Sequence, residues 1–161
     1  MIDSGIFRQY DIRGVVGDDL TVEAAEGVGR GYAALLAARG VHGAIAVGRD
    51  NRLTGPSLRD ALVKGLTASG LDVVDIGEVP TPALYWSLHH VGVVGGIQIT
   101  GSHNPPEFNG FKLSVGSTSL HGEGIQQLRR LIAGSVSSPV PGTVRTVAVL
   151  DDYVKDIAAH A

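Results

Sequence analysis

Short apolar blocks and longer mixed blocks take turns along the chain, with glycine, proline or a polar loop at most junctions. The mixed block from about Val22 to Ala38 predicts a helix. Thr21 is placed to cap it, Glu23 and Glu26 lie near the positive end of its dipole, and Gly40 follows as a stop. Ala44–Gly48 is an apolar run of buried-strand type that leads into the polar loop Arg49–Gly55. A second helix is predicted from Pro56, suited to a first turn, to Ala68, with Gly70 beyond it. Leu71–Gly77 predicts a second strand, Pro82–His90 a third helix, and Gly95–Thr100 a third strand that runs straight into residues 101–106, GSHNPP. Phe111–Val115 fits a fourth strand and Gly122–Ile132 a fourth helix. Residues 1–20 read as irregular, residues 134–146 (GSVSSPVPGTVRT) as a linker or extended edge, and Asp151–His160 as a short amphipathic tail.

Strands alternating with helices across short connections imply an α/β fold: a three-layer α/β/α sandwich with a mixed, mostly parallel four-stranded sheet. Ligands of such sheets bind beyond the carboxyl ends of the strands, so the loops Arg49–Gly55 and Thr100–Asn109 should share one edge. The division expected is a domain over residues 1–133, with 134–161 as linker and start of the next; the tail has no stop signal, which suggests a larger protein. Gly27, Gly29 and Gly31 lie inside the first helix and follow no strand, so they read as close helix packing and not as a dinucleotide loop.

Composition narrows the function classes. Glycine, at 23 residues, is about twice its usual share of roughly 7%, as expected where backbone must approach a ligand or turn sharply. A net charge of -3 and few aromatic residues argue against a nucleic-acid partner. Without cysteine there is no disulfide, thiolate metal site or cysteine nucleophile. The first five residues, MIDSG, lack the basic-then-apolar order of a signal peptide, and no apolar run reaches the ~18 residues of a membrane span. No membrane association and a cytoplasmic location are expected.

The segment with most chemical content is TGSHNPPEFNGFK, residues 100–112. A strand delivers Ser102 into a loop beside His103 and Asn104, and Pro105 and Pro106 stiffen the exit. Such residues also build ordinary turns, and on residue chemistry alone both readings stand. A serine hydrolase using Ser102 and His103 is a weaker third: adjacent side chains rarely face each other, and the G-x-S-x-G elbow is missing.

This segment resembles the phosphoserine loop of the bacterial phosphomannomutase/phosphoglucomutase branch of the α-D-phosphohexomutases. FRQYDIRG at residues 7–14 is similar to the family's N-terminal signature, and VGRDNRLTGP and the VPTP of residues 79–82 match further segments in order. The resemblance covers about residues 6–133. Gly101 before the serine favours this branch over the phosphoglucosamine mutases, which usually carry alanine there.

The resemblance implies a mutase that interconverts hexose 1- and 6-phosphates of mannose or glucose through a phosphoserine and a hexose 1,6-bisphosphate intermediate. Carried over, Ser102 is the phosphoryl donor and acceptor and, through its phosphate, a ligand of Mg2+. Arg13 matches a phosphate-contacting arginine, Tyr10 an active-site tyrosine, and His103 and Asn104 the flanking residues. Lys112 matches a lysine assigned to general acid/base work or phosphate contact; a lysine acts as a base at neutral pH only with burial or neighbouring cations. Arg8 and Arg49 are weaker candidates, and Arg52 is expected in ion pairs or at the solvated surface. His89 and His90, adjacent on a helix, read as structural. The family's metal loop, D-G-D-G-D, has no counterpart here, so the implied partners are other domains of the same protein as well as sugar phosphates. The alternative is a non-catalytic domain of this fold that binds a sugar phosphate or a protein.

Overall fold

The computed structural model describes residues 1–161. The strands are β1 (Ile12–Val15), β2 (Ile45–Arg49), β3 (Val73–Glu78), β4 (Gly95–Ile99), β5 (Phe108–Val115), β6 (Thr118–Ser119) and β7 (Val144–Thr146). The helices are α1 (Val22–Ala38), α2 (Gly55–Ala68), α3 (Thr81–His90), α4 (Glu123–Ile132) and α5 (Leu150–Ala159). Thr21 caps α1 as expected, its side chain accepting from the amide of Ala24 at 3.1 Å.

One sheet runs β1-β5-β4-β2-β3-β7, with β6 hairpinned onto β5. The pairs β4–β2, β2–β3 and β3–β7 are parallel, while β5 is antiparallel to β4 and to β1. The sheet is therefore mixed and mostly parallel, but it has seven strands where the sequence suggested four. Two of the extra strands correct specific expectations. The opening segment is not wholly irregular, because Ile12–Val15 pairs with Phe108–Phe111. Residues 144–146 are an edge strand on β3, the extended edge rather than a free linker.

Helices α1, α2 and α4 cover one face, where Leu35, Leu36, Leu58, Leu62, Leu66 and Leu128 bury themselves against Ile45, Val47 and Ile97. Helix α3 covers the other, packing Ala83 and Leu84 on Ala46, Val74 and Ile76. The glycines of α1 mark close helix contact: a Cβ on Gly29 would lie 2.5 Å from the carbonyl oxygen of Leu62 on α2, and one on Gly31 would lie 3.0 Å from that of Leu128 on α4. His90 stacks on Trp86 with ring centroids 3.9 Å apart, in keeping with a structural role.

Candidate functional site

Parallel order of β2 and β4 brings their carboxyl ends to one edge, and the antiparallel β5 starts there. The backbone amide of Asp50, just past β2, donates to the carbonyl of Ile99 at 2.9 Å, so the two expected loops do share that edge.

Ser102 is exposed at the tip, with φ +51°. It is the only non-glycine residue with positive φ. A side chain there is strained unless its surroundings over-determine it. Those surroundings are specific. The amide of Ser102 donates to Thr100 Oγ1 at 2.9 Å, and the amide of Asn104 donates to the carbonyl of Gly101 at 3.0 Å. Arg52 then reaches across from the β2 loop. Its Nη2 donates to the carbonyls of Ser102 (3.1 Å) and Asn104 (2.7 Å), and its Nη1 to those of Pro105 (2.7 Å) and Phe108 (3.0 Å). Its side chain is 15% exposed, with Asp50 Oδ2 3.7 Å from Nε. Of the two expectations for Arg52, the ion pair is present and the solvated surface is not. The guanidinium is mostly spent on loop carbonyls, which a search for charge partners does not reveal.

Behind the tip, Arg13 on β1 is 2% exposed. Its Nη1 donates to Asn104 Oδ1 at 3.1 Å and its Nη2 to Asp11 Oδ2 at 2.6 Å. Lys112 on β5 stands 3.9 Å from the same Asp11 oxygen. Asp11, which sequence reasoning passed over, thus joins Arg13 to Lys112, and Arg13 in turn holds Asn104. Arg13 Nε is buried without a partner. Asn109, buried at the start of β5, donates through Nδ2 to Thr54 Oγ1 at 2.9 Å and accepts from the amide of Gly110, tying the two loops together below the tip.

The remaining candidates stand apart from this linked set. His103 is exposed beside Ser102 with no hydrogen bond through its ring, and Arg8 is exposed with none through its guanidinium. Tyr10 is 73% exposed, its ring 6.4 Å from that of His121. Arg49 pairs with Glu78 at 3.0 Å, on the β3 side. No group of three His, Asp or Glu side chains is arranged to hold a metal ion. Asp11 and Asp50 are each engaged by an arginine, so this chain's own side chains do not make a complete magnesium site. No helix is long and apolar enough to cross a membrane.

A strained serine at the tip of a pinned loop, with cations behind and beneath it, suits transfer of an anionic group. The family described as Phosphoglucomutase/phosphomannomutase, alpha/beta/alpha domain I, matches residues 4–135, and the chain belongs to that family. It is 46% identical over 156 residues to a phosphomannomutase/phosphoglucomutase of Pseudomonas aeruginosa, covering 97% of this chain and 34% of that protein. A phosphoglucomutase of Neisseria meningitidis serogroup B is 43% identical over 157 residues, covering 96% of this chain and 34% of its own length. The crystal structure of a phosphoglucomutase/phosphomannomutase family protein from Burkholderia thailandensis superposes with a TM-score of 0.91 at 40% identity, over 99% of this chain and 36% of that one. The chain spans about a third of the length of these relatives.

Proposed function

We propose that this chain is the serine-bearing part of a phosphohexose mutase that interconverts the 1- and 6-phosphates of mannose or glucose. The domain that presents the serine takes in residues 1–133 together with β7, which completes its sheet. The observation that carries this reading is Ser102, exposed with φ +51° on a loop held by Arg52.

In the resting protein Ser102 carries the phosphoryl group. A free hydroxyl of the sugar monophosphate attacks that phosphorus. The bond from phosphorus to Ser102 Oγ breaks, a bond to the sugar oxygen forms, and the hydroxyl proton passes to the departing serine oxygen. Reversal at the other phosphate of the hexose 1,6-bisphosphate rephosphorylates Ser102 and leaves the isomerised monophosphate. Such transfer rests on positioning and on stabilising charge, and a phosphoserine brings about -1.5 to -2 charges near neutral pH. Arg13 and Lys112 supply fixed positive charge behind the loop, and Asn104, held by Arg13, orients the turn. His103, Tyr10 and Arg8, exposed and free to reorient, contact the sugar phosphate when it binds. Mg2+ would add Lewis-acid stabilisation of the phosphoryl oxygens, with the Ser102 phosphate as one ligand and the others from outside these residues. The protein acts in the cytoplasm.

The test is the native full-length polypeptide. Peptide mapping should find one phosphate on Ser102, and Ser102→Ala should reduce interconversion of glucose 1- and 6-phosphate to background. Normal turnover by Ser102→Ala would remove the serine from the reaction.

A further inference from the structure

Arg52 is spent on an unusual set of acceptors. A guanidinium has five donors in a rigid fork, and two of its nitrogens here cover four backbone carbonyls of a single loop, at Ser102, Asn104, Pro105 and Phe108. The residue at the centre of that loop is the one non-glycine residue held at positive φ. A backbone in this region persists only when several contacts fix it together. Thr100 Oγ1 fixes the amide side of Ser102, and Arg52 fixes the carbonyl side. Space is matched to the clamp as well: a Cβ on Gly101 would run into the Arg52 guanidinium, although nothing in the φ of Gly101 itself requires glycine.

From this geometry we infer that Arg52 is a positioning residue for phosphoryl transfer at Ser102, acting through the loop carbonyls and not by touching the sugar phosphate. It fixes the backbone from which the Ser102 side chain projects and keeps a positive charge on the same loop. The inference rests on the mutase reading. Lysine is no substitute, because a single ammonium on a flexible stem cannot span carbonyls that the fork holds in two pairs.

The experiment compares Arg52→Lys, Arg52→Ala and Gly101→Ala with the wild type in the native full-length polypeptide, measuring kcat, KM for glucose 1-phosphate, phosphate on Ser102, and hydrogen exchange of the β4 and β5 amides. Misplacing a reacting group by about 1 Å costs roughly 100-fold in rate, so kcat should fall about 10- to 100-fold in all three, with KM within about 3-fold and β4 and β5 protection retained. Free guanidinium ion at low millimolar concentration should restore part of kcat in Arg52→Ala and none in Gly101→Ala, where the clamp side chain is still present. A rise in KM with kcat kept would make Arg52 a substrate contact and overturn the inference. So would wild-type kcat in Gly101→Ala, the variant that keeps the arginine and guards against a folding failure in the other two. If the wild type itself lacks both phosphoserine and turnover, the mutase reading falls, and this inference with it.

Discussion

Arg13 carries a charge at 2% exposure, a position tolerable only because Asp11 and Asn104 take up its two terminal nitrogens. Removing the partner of such a charge costs more than the pair contributes, since the remaining cation is left desolvated. Asp11→Ala should therefore destabilise the domain by ~3 kcal/mol, read as a lower urea midpoint with an unchanged slope. Asp11→Asn, which keeps an oxygen acceptor, should cost clearly less. Equal losses in the two variants would mean that the charge, removed in both, carries the whole effect, and that the oxygen kept in Asp11→Asn contributes nothing. Ser102 follows a related logic with backbone in place of charge: its φ of +51° is sustained by contacts from Thr100 and Arg52, so the conformation of one residue depends on a second residue fifty positions away.

Helices α1 and α2 meet where neither has a side chain. A Cβ on Gly65 would strike the carbonyl of Glu26, while one on Gly29 would lie 2.9 Å from the amide of Leu66. Alanine is the better helix former by about 1 kcal/mol, but backbone on both sides cannot yield cheaply, and overpacking at about 3 kcal/mol wins. Gly65→Ala should lower the melting temperature by roughly 4–8 °C, and Gly134→Ala, with open space around it, should leave it unchanged. The edge strand is held differently. Asp72 accepts from the amide and the hydroxyl of Thr143 at 2.7 and 2.9 Å, and these bonds hold its carboxyl below the usual carboxylate range. A depressed folded value means the stabilisation is present above the ordinary carboxylate pKa and is lost as pH falls through the folded one. The Thr143 amide resonance should therefore titrate at lower pH than an ordinary aspartate would impose, and Asp72→Asn should remove that transition. These elements also show what a sequence reveals. Helices α1 to α4 and strands β2 to β4 carry local patterns and stops, and they fall within a residue or two of expectation. β1 has four residues and pairs with a strand almost a hundred positions away, while β7 has three, all exposed, so neither leaves a local pattern to read. The first part of β5 hid behind Asn109 and Gly110, which look like a turn but form a buried rung opposite Gly14 and Arg13. At the site, Ser102, Arg13 and Lys112 were legible as chemistry-bearing types in a known order; Arg52 was not, because its partners are carbonyls, which every residue has.

The whole sheet serves one edge. β2 and β4 deliver Arg52 and Ser102, β1 delivers Arg13, and β5 delivers Lys112, so the positive groups behind the serine come from separate strands. The acidic groups are not gathered in the same way. Asp11 and Asp50 answer arginines, and no trio of carboxylates or histidines stands ready for a cation. Divalent magnesium keeps near-octahedral oxygen coordination and usually needs carboxylates together with phosphate. The charge balance of this edge thus suits receiving a phosphate and lacks the means to hold the metal that the proposed reaction uses. Residues 1–161 alone should show no saturable Mg2+ site by calorimetry at millimolar metal and no conversion of glucose 1-phosphate in a coupled assay. Metal-dependent turnover should appear only with the native full-length polypeptide. Turnover by the 161 residues alone would place a complete metal site within this chain, and Asp11 and Asp50 would then have to exchange their arginines for the cation.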